Sequence, residues 1–281
     1  TEVVIEAVEA HLSDLPGSSE RFNWPVNRRQ ALEALDHFIK QVLPQFGPYQ
    51  DAMWSGEPFL WHSLLASALN LRLLRPLEVI EAACCAYEQD PKQYPLPTVE
   101  GFVRQILGWR AFMRGLYWLN MPQMAQANHF NHHAKLPSWF WSGQCQMNCL
   151  RQILLQTFEH AYAHHIQRLM VIGNFALLAG LDPQALHHWD LGIYIDAFEW
   201  VEAPNTLGMS QWADGGQLAT KPYVSSAAYL QRMGDHCKGC AYDPKARIGE
   251  KACPFNALYW NFFDRHRSHF QGNPRLGVVY H

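Results

Sequence analysis

Four cysteines give the sequence its sharpest chemical signal. Cys237-Lys-Gly-Cys240 is a C-x2-C pair, and Cys253 follows after twelve residues, directly before Pro254. Two thiolates at the first spacing can wrap one metal or one cluster corner, because the turn between them points both sulfurs inward. A cysteine before proline resembles the ending of ferredoxin-type iron–sulfur runs. A fourth ligand must come from elsewhere. Cys149 opens a long helical pattern, and a helix N-terminus favours a thiolate. Spacing alone leaves tetrahedral zinc and an iron–sulfur cluster open, with free thiols as the bland alternative. Cys84 and Cys85 are neighbours in a helical apolar segment. They cannot face the same way and read as core; Cys145 reads as a spectator. An odd total of seven argues against a disulfide framework.

The histidines form a second constellation. His160, His164 and Arg168 recur at i, i+4 and i+8 and read as one face of a helix, with His165 one step around. Glu159 precedes His160, so this is not the H-E-x-x-H zinc motif. The i, i+4 pair can still hold a metal, or it can be a pair of hydrogen-bonded core histidines. It can also supply a proton near a substrate, since histidine is readily tuned across neutral pH. Trp139, Trp141 and Trp189 either fill the core or relay electrons to a redox cofactor. The segment 220–229 combines a turn, a hydroxyl cap and a helix start. Tyr223 and Tyr229 there are packed side chains or two phenol donors in a pocket wall.

The elements that must carry these groups read as helices. The chain has 281 residues, 48% hydrophobic and 13% aromatic, enough for a large core in one or two domains. Helical apolar spacing marks 30–43, ending at Pro44, and 77–88, 99–118, 150–178, 225–233 and 256–266. Residues 59–74 are apolar nearly all round and predict a buried helix. Residues 200–223 read as a long loop, which its aromatic content should order around a ligand. Strand alternation is scarce, so the expected class is all-α. Residues 1–25 read as a linker, implying a missing upstream domain, with 26–281 as the helical domain. No eighteen-residue apolar run occurs, and the acidic start lacks a signal-peptide pattern, so a soluble, cytoplasmic protein without membrane contact is expected. The net charge of −3 excludes a protein that is basic all over. It leaves room for a local basic groove, for which Arg72, Arg75, Arg104 and Arg114 are candidates.

Taken together, these segments resemble the photolyase and cryptochrome superfamily over roughly 46–281. The likeness is greatest to its iron–sulfur bacterial branch, whose characterised members act on (6-4) photoproducts. His62-Ser63-Leu64-Leu65-Ala66 looks like the superfamily's Thr-Ser-x-Leu-Ser phosphate turn, with His62 and Ala66 replacing the Thr and the second Ser. Gln105 to Phe112 is similar to its Trp-Arg-x-Phe helix. Four segments resemble the branch in order: Trp141 to Cys149, His164 to Met170, Pro204 to Met209, and Thr220 to Tyr229 followed by the three later cysteines.

The resemblance implies an all-α, FAD-binding photolyase-type domain carrying a 4Fe-4S cluster on Cys149, Cys237, Cys240 and Cys253, and so favours iron–sulfur over zinc. It implies a U-shaped FAD held by Tyr49, His62, Ser63, Leu65, Gln105, Arg110, Arg168, Glu199, Glu202, Asn205 and Thr206. One of Glu199, Glu202 and Asn205 should tune flavin protonation. Trp141 and Trp189 would pass electrons inward. His165, with His164 beside it, would donate a proton or a hydrogen bond to a lesion received by Met209, Tyr223 and Tyr229. The implied activity is that of a monomeric DNA photolyase on UV-damaged DNA at the bacterial nucleoid. A lumazine-type antenna pigment would belong to the missing N-terminal domain. The alternatives are a cryptochrome-type light sensor on the same scaffold and a zinc-stabilised nucleic-acid-binding module without flavin.

Overall fold

The structure, a computed structural model, describes residues 1–280. The described residues form helices joined by turns, with three isolated bridge pairs and no strand among them. No helix is long and apolar enough to cross a membrane among the described residues. The all-α expectation holds.

Two apolar cores organise the molecule. The first gathers Phe38, Leu43, Leu65, Val79 and Phe102 from the N-terminal helices. The second gathers Phe140, Leu150, Ile153, Phe255 and Phe262 from the later ones. Phe140 and Phe255 are fully buried, which stabilises by roughly 1.5–3 kcal/mol for each such side chain. The candidate site lies where the two cores face each other.

Several helices differ from their sequence pattern for definable reasons. Helix Arg28–His37 starts where the Asn27 side chain accepts from the Gln30 amide. It does not end at Pro44. A wide turn at Phe38–Val42 intervenes, and Pro44 then falls in the first turn of Leu43–Tyr49, where a missing N–H costs little. The apolar stretch 59–74 is not one helix either: only Ala66–Asn70 is helical. Leu60, Leu64 and Arg72 adopt positive φ, which breaks the helix and turns its backbone toward the site. Helix Pro76–Gln89 forms as expected, yet its core face is Val79, Ala83 and Ala86. Cys84 is half-buried and Cys85 exposed, so neither belongs to the core.

The expected helix 150–178 is broken. Asn148–His160 ends at Ala161, whose φ of 49° reverses the chain, and helix resumes at His165. The Ile195 amide donates to the Ala161 carbonyl at 2.9 Å and fixes the break. His160 and His164 therefore do not share a face. Residues 200–210 are not loop: Glu199–Ala203 runs into Pro204–Ser210 as one helical stretch, and the irregular backbone is confined to 211–226. Residues 1–25 include the ten-residue helix Glu2–His11, which buries none of its side chains. Trp24 beyond it packs against Phe59 and Tyr162.

Candidate functional site

The break at Ala161 and the kinked segment 60–65 together shape a cavity of about 340 Å³ between the cores. A second chamber of about 460 Å³ adjoins it, and Ser63, Gln105, His165 and Asn205 line both. Each volume lies in the range of small-molecule sites. His62, His164, Arg168, Glu202 and Thr206 face the first chamber. Leu65, Arg110, Met209 and Tyr223 face the second, with Trp109 and Met113.

Arg168 is the electrostatic centre. Its Nη2 lies 2.8 Å from Asp196 Oδ1, its Nη1 3.9 Å from Glu202 Oε2, and its guanidinium 3.7 Å over the Tyr194 ring. Burial alone would lower its pKa, but Asp196, Tyr194 and Glu202 outweigh that and raise it. The cation is therefore permanent. Asn70 donates to the Asp196 carbonyl at 2.8 Å, and Arg110 donates to Asn70 Oδ1 at 3.3 Å. The short helix Ala66–Asn70 is thereby tied to both chambers.

His62 and His164 stack at 4.2 Å between ring centroids. His62 Nε2 and both ring nitrogens of His164 are buried without a hydrogen-bond partner in the protein. Such orphaned polar atoms on a cavity wall are costly unless something else satisfies them. Burial, then the nearby His165, lowers His62 to about 4. Burial lowers His164 too, with His62 as the next cause. His165 is open to the cavity but enclosed by the protein around it, and that confinement, then Arg168, lowers it in the same direction. At neutral pH the three imidazoles are uncharged, and each presents one N–H and one acceptor. His165 is thus a neutral hydrogen-bond donor, and the bond that it gives strengthens when the acceptor in the cavity carries negative charge.

The aromatic residues form a continuous path. Trp141 is half exposed at the surface. The Phe140 ring lies 6.4 Å from Trp141 and 5.2 Å from Trp189. Buried Trp189 donates from its indole N–H to the Phe140 carbonyl at 3.1 Å, and its ring is 5.7 Å from Tyr194, beneath Arg168. Sequence reading missed Tyr194, Asp190 and Asp196. Nothing in their spacing marks them, because only packing brings them to the cavity.

Some expected site residues stand elsewhere. Tyr49 is exposed, with its ring 6.5 Å from Trp61, and lines neither chamber. Glu199 is on the surface and accepts a hydrogen bond from the Tyr117 hydroxyl at 2.8 Å. Of the three candidates at the flavin edge, Glu202 and Asn205 face the cavity and Glu199 does not. Tyr229 packs against the apolar cluster of Met113, Leu169, Met170 and Met209 and lines neither chamber. Among the groove candidates, Arg104 is paired with Glu100, and Arg114 lies over Trp200. Arg72 and Arg75 are exposed.

Cys149, Cys237, Cys240 and Cys253 converge on one small cavity of about 10 Å³, beside Met147, Leu230 and Tyr242. Three elements deliver them: the start of Asn148–His160, the turn His236–Gly239, and the N-cap of Pro254–Arg265. Asn148 Nδ2 donates to the His236 carbonyl at 2.8 Å and holds the first two together. Among the described residues no three His, Cys, Asp or Glu side chains already stand in the geometry of a single metal ion. The donor set itself, four thiols in an apolar shell, suits a soft thiophilic group. Cys145 is buried nearby, close enough to feel the charge of Cys240.

No protein-family model matches the chain. A (6-4) photolyase of Agrobacterium fabrum (strain C58) is 51% identical over 280 residues, covering all of this chain and 55% of that protein. A crystal structure of a bacterial class III photolyase from Agrobacterium tumefaciens superposes with a TM-score of 0.63 at 17% identity, over 88% of this chain and 57% of that one. A cryptochrome from Synechocystis sp. PCC6803 gives 0.56 at 12% identity, over 91% and 47%. At those identities the two structures speak for the fold. The chain spans about half the length of the proteins it matches. Sequence identity and helical architecture lead to the same conclusion: the chain belongs to the photolyase/cryptochrome superfamily and corresponds to its helical catalytic domain.

Proposed function

We propose that this domain binds FAD in the first chamber, receives a UV lesion of DNA in the second, and takes part in light-driven repair of (6-4) photoproducts. The observation that carries this reading is the pair of adjoining chambers with His165 on the wall they share. The first chamber suits a polar, planar nucleotide. Its orphaned imidazole nitrogens, the fixed Arg168–Asp196 pair and the Glu202, Asn205 and Thr206 edge supply donors and acceptors together. The second is walled by Trp109, Met113, Met209 and Tyr223, apolar and aromatic surface on which a base can stack for about 1–3 kcal/mol. A damaged, poorly stacked base leaves the duplex at the least cost.

When bound and reduced, FAD supplies an electron on excitation by light. His165 then holds its N–H toward the lesion across the shared wall. Negative charge makes the lesion the better acceptor and strengthens the hydrogen bond that it takes from that N–H. Trp141, Phe140 and Trp189 lead electrons from the surface inward to restore the reduced cofactor. Glu202 and Asn205 would hold the flavin edge. The four cysteines would hold a 4Fe-4S cluster that ties the C-terminal segment to helix Asn148–His160, a structural role. The partner is UV-damaged DNA, met by a monomer in the cytoplasm at the nucleoid; a light-harvesting pigment would bind outside these residues.

The test is repair of a (6-4)-containing duplex oligonucleotide by the purified protein under blue light, with the visible spectrum recorded beside it. Flavin absorption with light-dependent restoration of the bases is the expected result. Flavin photoreduction without repair would replace this reading by light sensing. Absence of flavin would remove both.

A further inference from the structure

The wall of the first chamber places two carboxyl groups on either side of one hydroxyl. Thr206 Oγ1 lies 2.7 Å from Asp190 Oδ2 and 3.0 Å from Glu202 Oε1. Asp190 comes from helix Pro183–Ile193, Glu202 from Glu199–Ala203, and Thr206 from the turn that continues it. All three are buried, and all three face the cavity.

Hydrogen counting makes this arrangement informative. A threonine hydroxyl has one hydrogen to donate. It can therefore satisfy one of the two carboxylates. The second contact is a hydrogen bond only if that carboxyl carries a proton and donates it to Oγ1. Otherwise an ionised oxygen would face a lone pair in a buried site, at the full cost of an unsatisfied charge. Two ionised carboxylates sharing such a site would also repel each other.

The neighbours decide which carboxyl holds the proton. The charged and titratable groups facing the pair are Arg168, Asp196 and Tyr194. Arg168 reaches Glu202 and is anchored by Asp196, but it forms no ion pair with Asp190. Burial, then Glu202, holds Asp190 well above the usual carboxylate range. Burial also raises Glu202, and Arg168 opposes that rise. The resting arrangement is a protonated Asp190 donating to Thr206 Oγ1, which donates to an ionised Glu202.

We propose that Asp190, Thr206 and Glu202 form a store for one proton that is delivered to the cavity when negative charge arrives there. The Asp190 O–H bond breaks as Thr206 accepts, and the Thr206 O–H bond breaks as Glu202 accepts. The new Glu202 O–H bond then breaks in favour of a base in the cavity. Only protons move in these three residues. The electron that makes the acceptor basic comes from an added thiol by the aromatic path that ends at Trp189, next to Asp190 in the chain. The store rests on its own geometry, whereas its acceptor, a reduced isoalloxazine, rests on the flavin reading above.

Infrared spectroscopy of the full chain at pH 7.5 in the dark tests the store without flavin chemistry or DNA. The expected result is a carboxylic-acid C=O band that shifts in D2O and disappears in Asp190→Asn. Aspartate labelled with carbon-13 at its side-chain carboxyl should move the same band in the folded wild type, so the assignment survives a variant that fails to fold. Absence of the band, or a band indifferent to both changes, overturns the store whatever the protein does to DNA. A pH-indicator dye in unbuffered solution tests delivery. During photoreduction with thiol, proton uptake from solvent should lag reduction in wild type and in Thr206→Ser, and the lag should vanish in Thr206→Val. An equal lag in Thr206→Val overturns delivery through the hydroxyl.

Discussion

Single side chains in this site are defined by protonation. The cavity histidines are held neutral and Asp190 is held protonated, and these opposite shifts give opposite pH dependences. His62, lowered from 6.5 to about 4, contributes stability that is present above about 6.5 and is lost as pH falls through about 4. Asp190 has a folded pKa raised above its unfolded value of about 3.9. Its contribution is present below that unfolded value and is lost as pH rises through the folded one. Asp190→Asn should therefore raise Tm relative to wild type increasingly from pH 5 to pH 8, and leave the acid limb in place. Thermal melts across that range check the sign. At the same scale, His165→Ala should keep the flavin spectrum and lower (6-4) repair by roughly a hundredfold or more, the usual worth of a positioned acid or base. Normal repair in that variant would remove His165 from proton donation. The sequence could show that histidines and acids cluster near 160–206. It could not choose Glu202 over Glu199, because the two lie three residues apart and only packing turns one to the cavity and the other to Tyr117.

Elements place these groups through their interruptions as much as their helices. Ala161 illustrates why part of the fold was hidden. Alanine is the strongest helix former, so its position reads as helix interior, and the reversal there depends on the distant Ile195 amide. A non-glycine residue in the left-handed region costs about 1–2 kcal/mol. Ala161→Gly should therefore stabilise modestly, by up to about 1 kcal/mol after the added freedom of the unfolded chain is counted, as read from urea melts. The cysteine turn was legible because its signal is local: two thiols three residues apart need no tertiary information. Helix Leu43–Tyr49 crosses Leu96–Val103 closely at Gly47, where an added Cβ would stand 2.9 Å from Thr98 Cα. Gly47→Ala should push these helices apart and cost about 1–3 kcal/mol, because backbone cannot yield as a flexible side chain does. Gln105, which lines both chambers, lies in the turn that continues the second of these helices. Loss of stability in this variant should therefore be accompanied by weaker flavin retention.

Across the whole molecule, the two cores meet at the cavity and the aromatic path runs from surface to centre through the second. Trp141 is half exposed, Phe140 is fully buried and Trp189 nearly so, so the path has one wet end and one dry end. On the proposed reading, electrons would enter where a soluble reductant can touch the Trp141 indole and leave beside Tyr194 and Arg168. This geometry separates two kinds of variant. Trp141→Phe removes the entry while leaving the buried packing, since the exposed ring contributes little to the core. It should slow photoreduction with little change in Tm or in the flavin spectrum. Trp189→Phe removes a buried indole and the bond it donates to the Phe140 carbonyl, so it should slow photoreduction and lower stability together, by about 1 kcal/mol or more for the lost hydrogen bond and the cavity. Photoreduction kinetics and melting curves on both variants distinguish a relay from plain core packing. If Trp141→Phe were photoreduced at the wild-type rate, electrons would have to enter the second core by another side chain, and the surface indole would have no part in the cavity's chemistry.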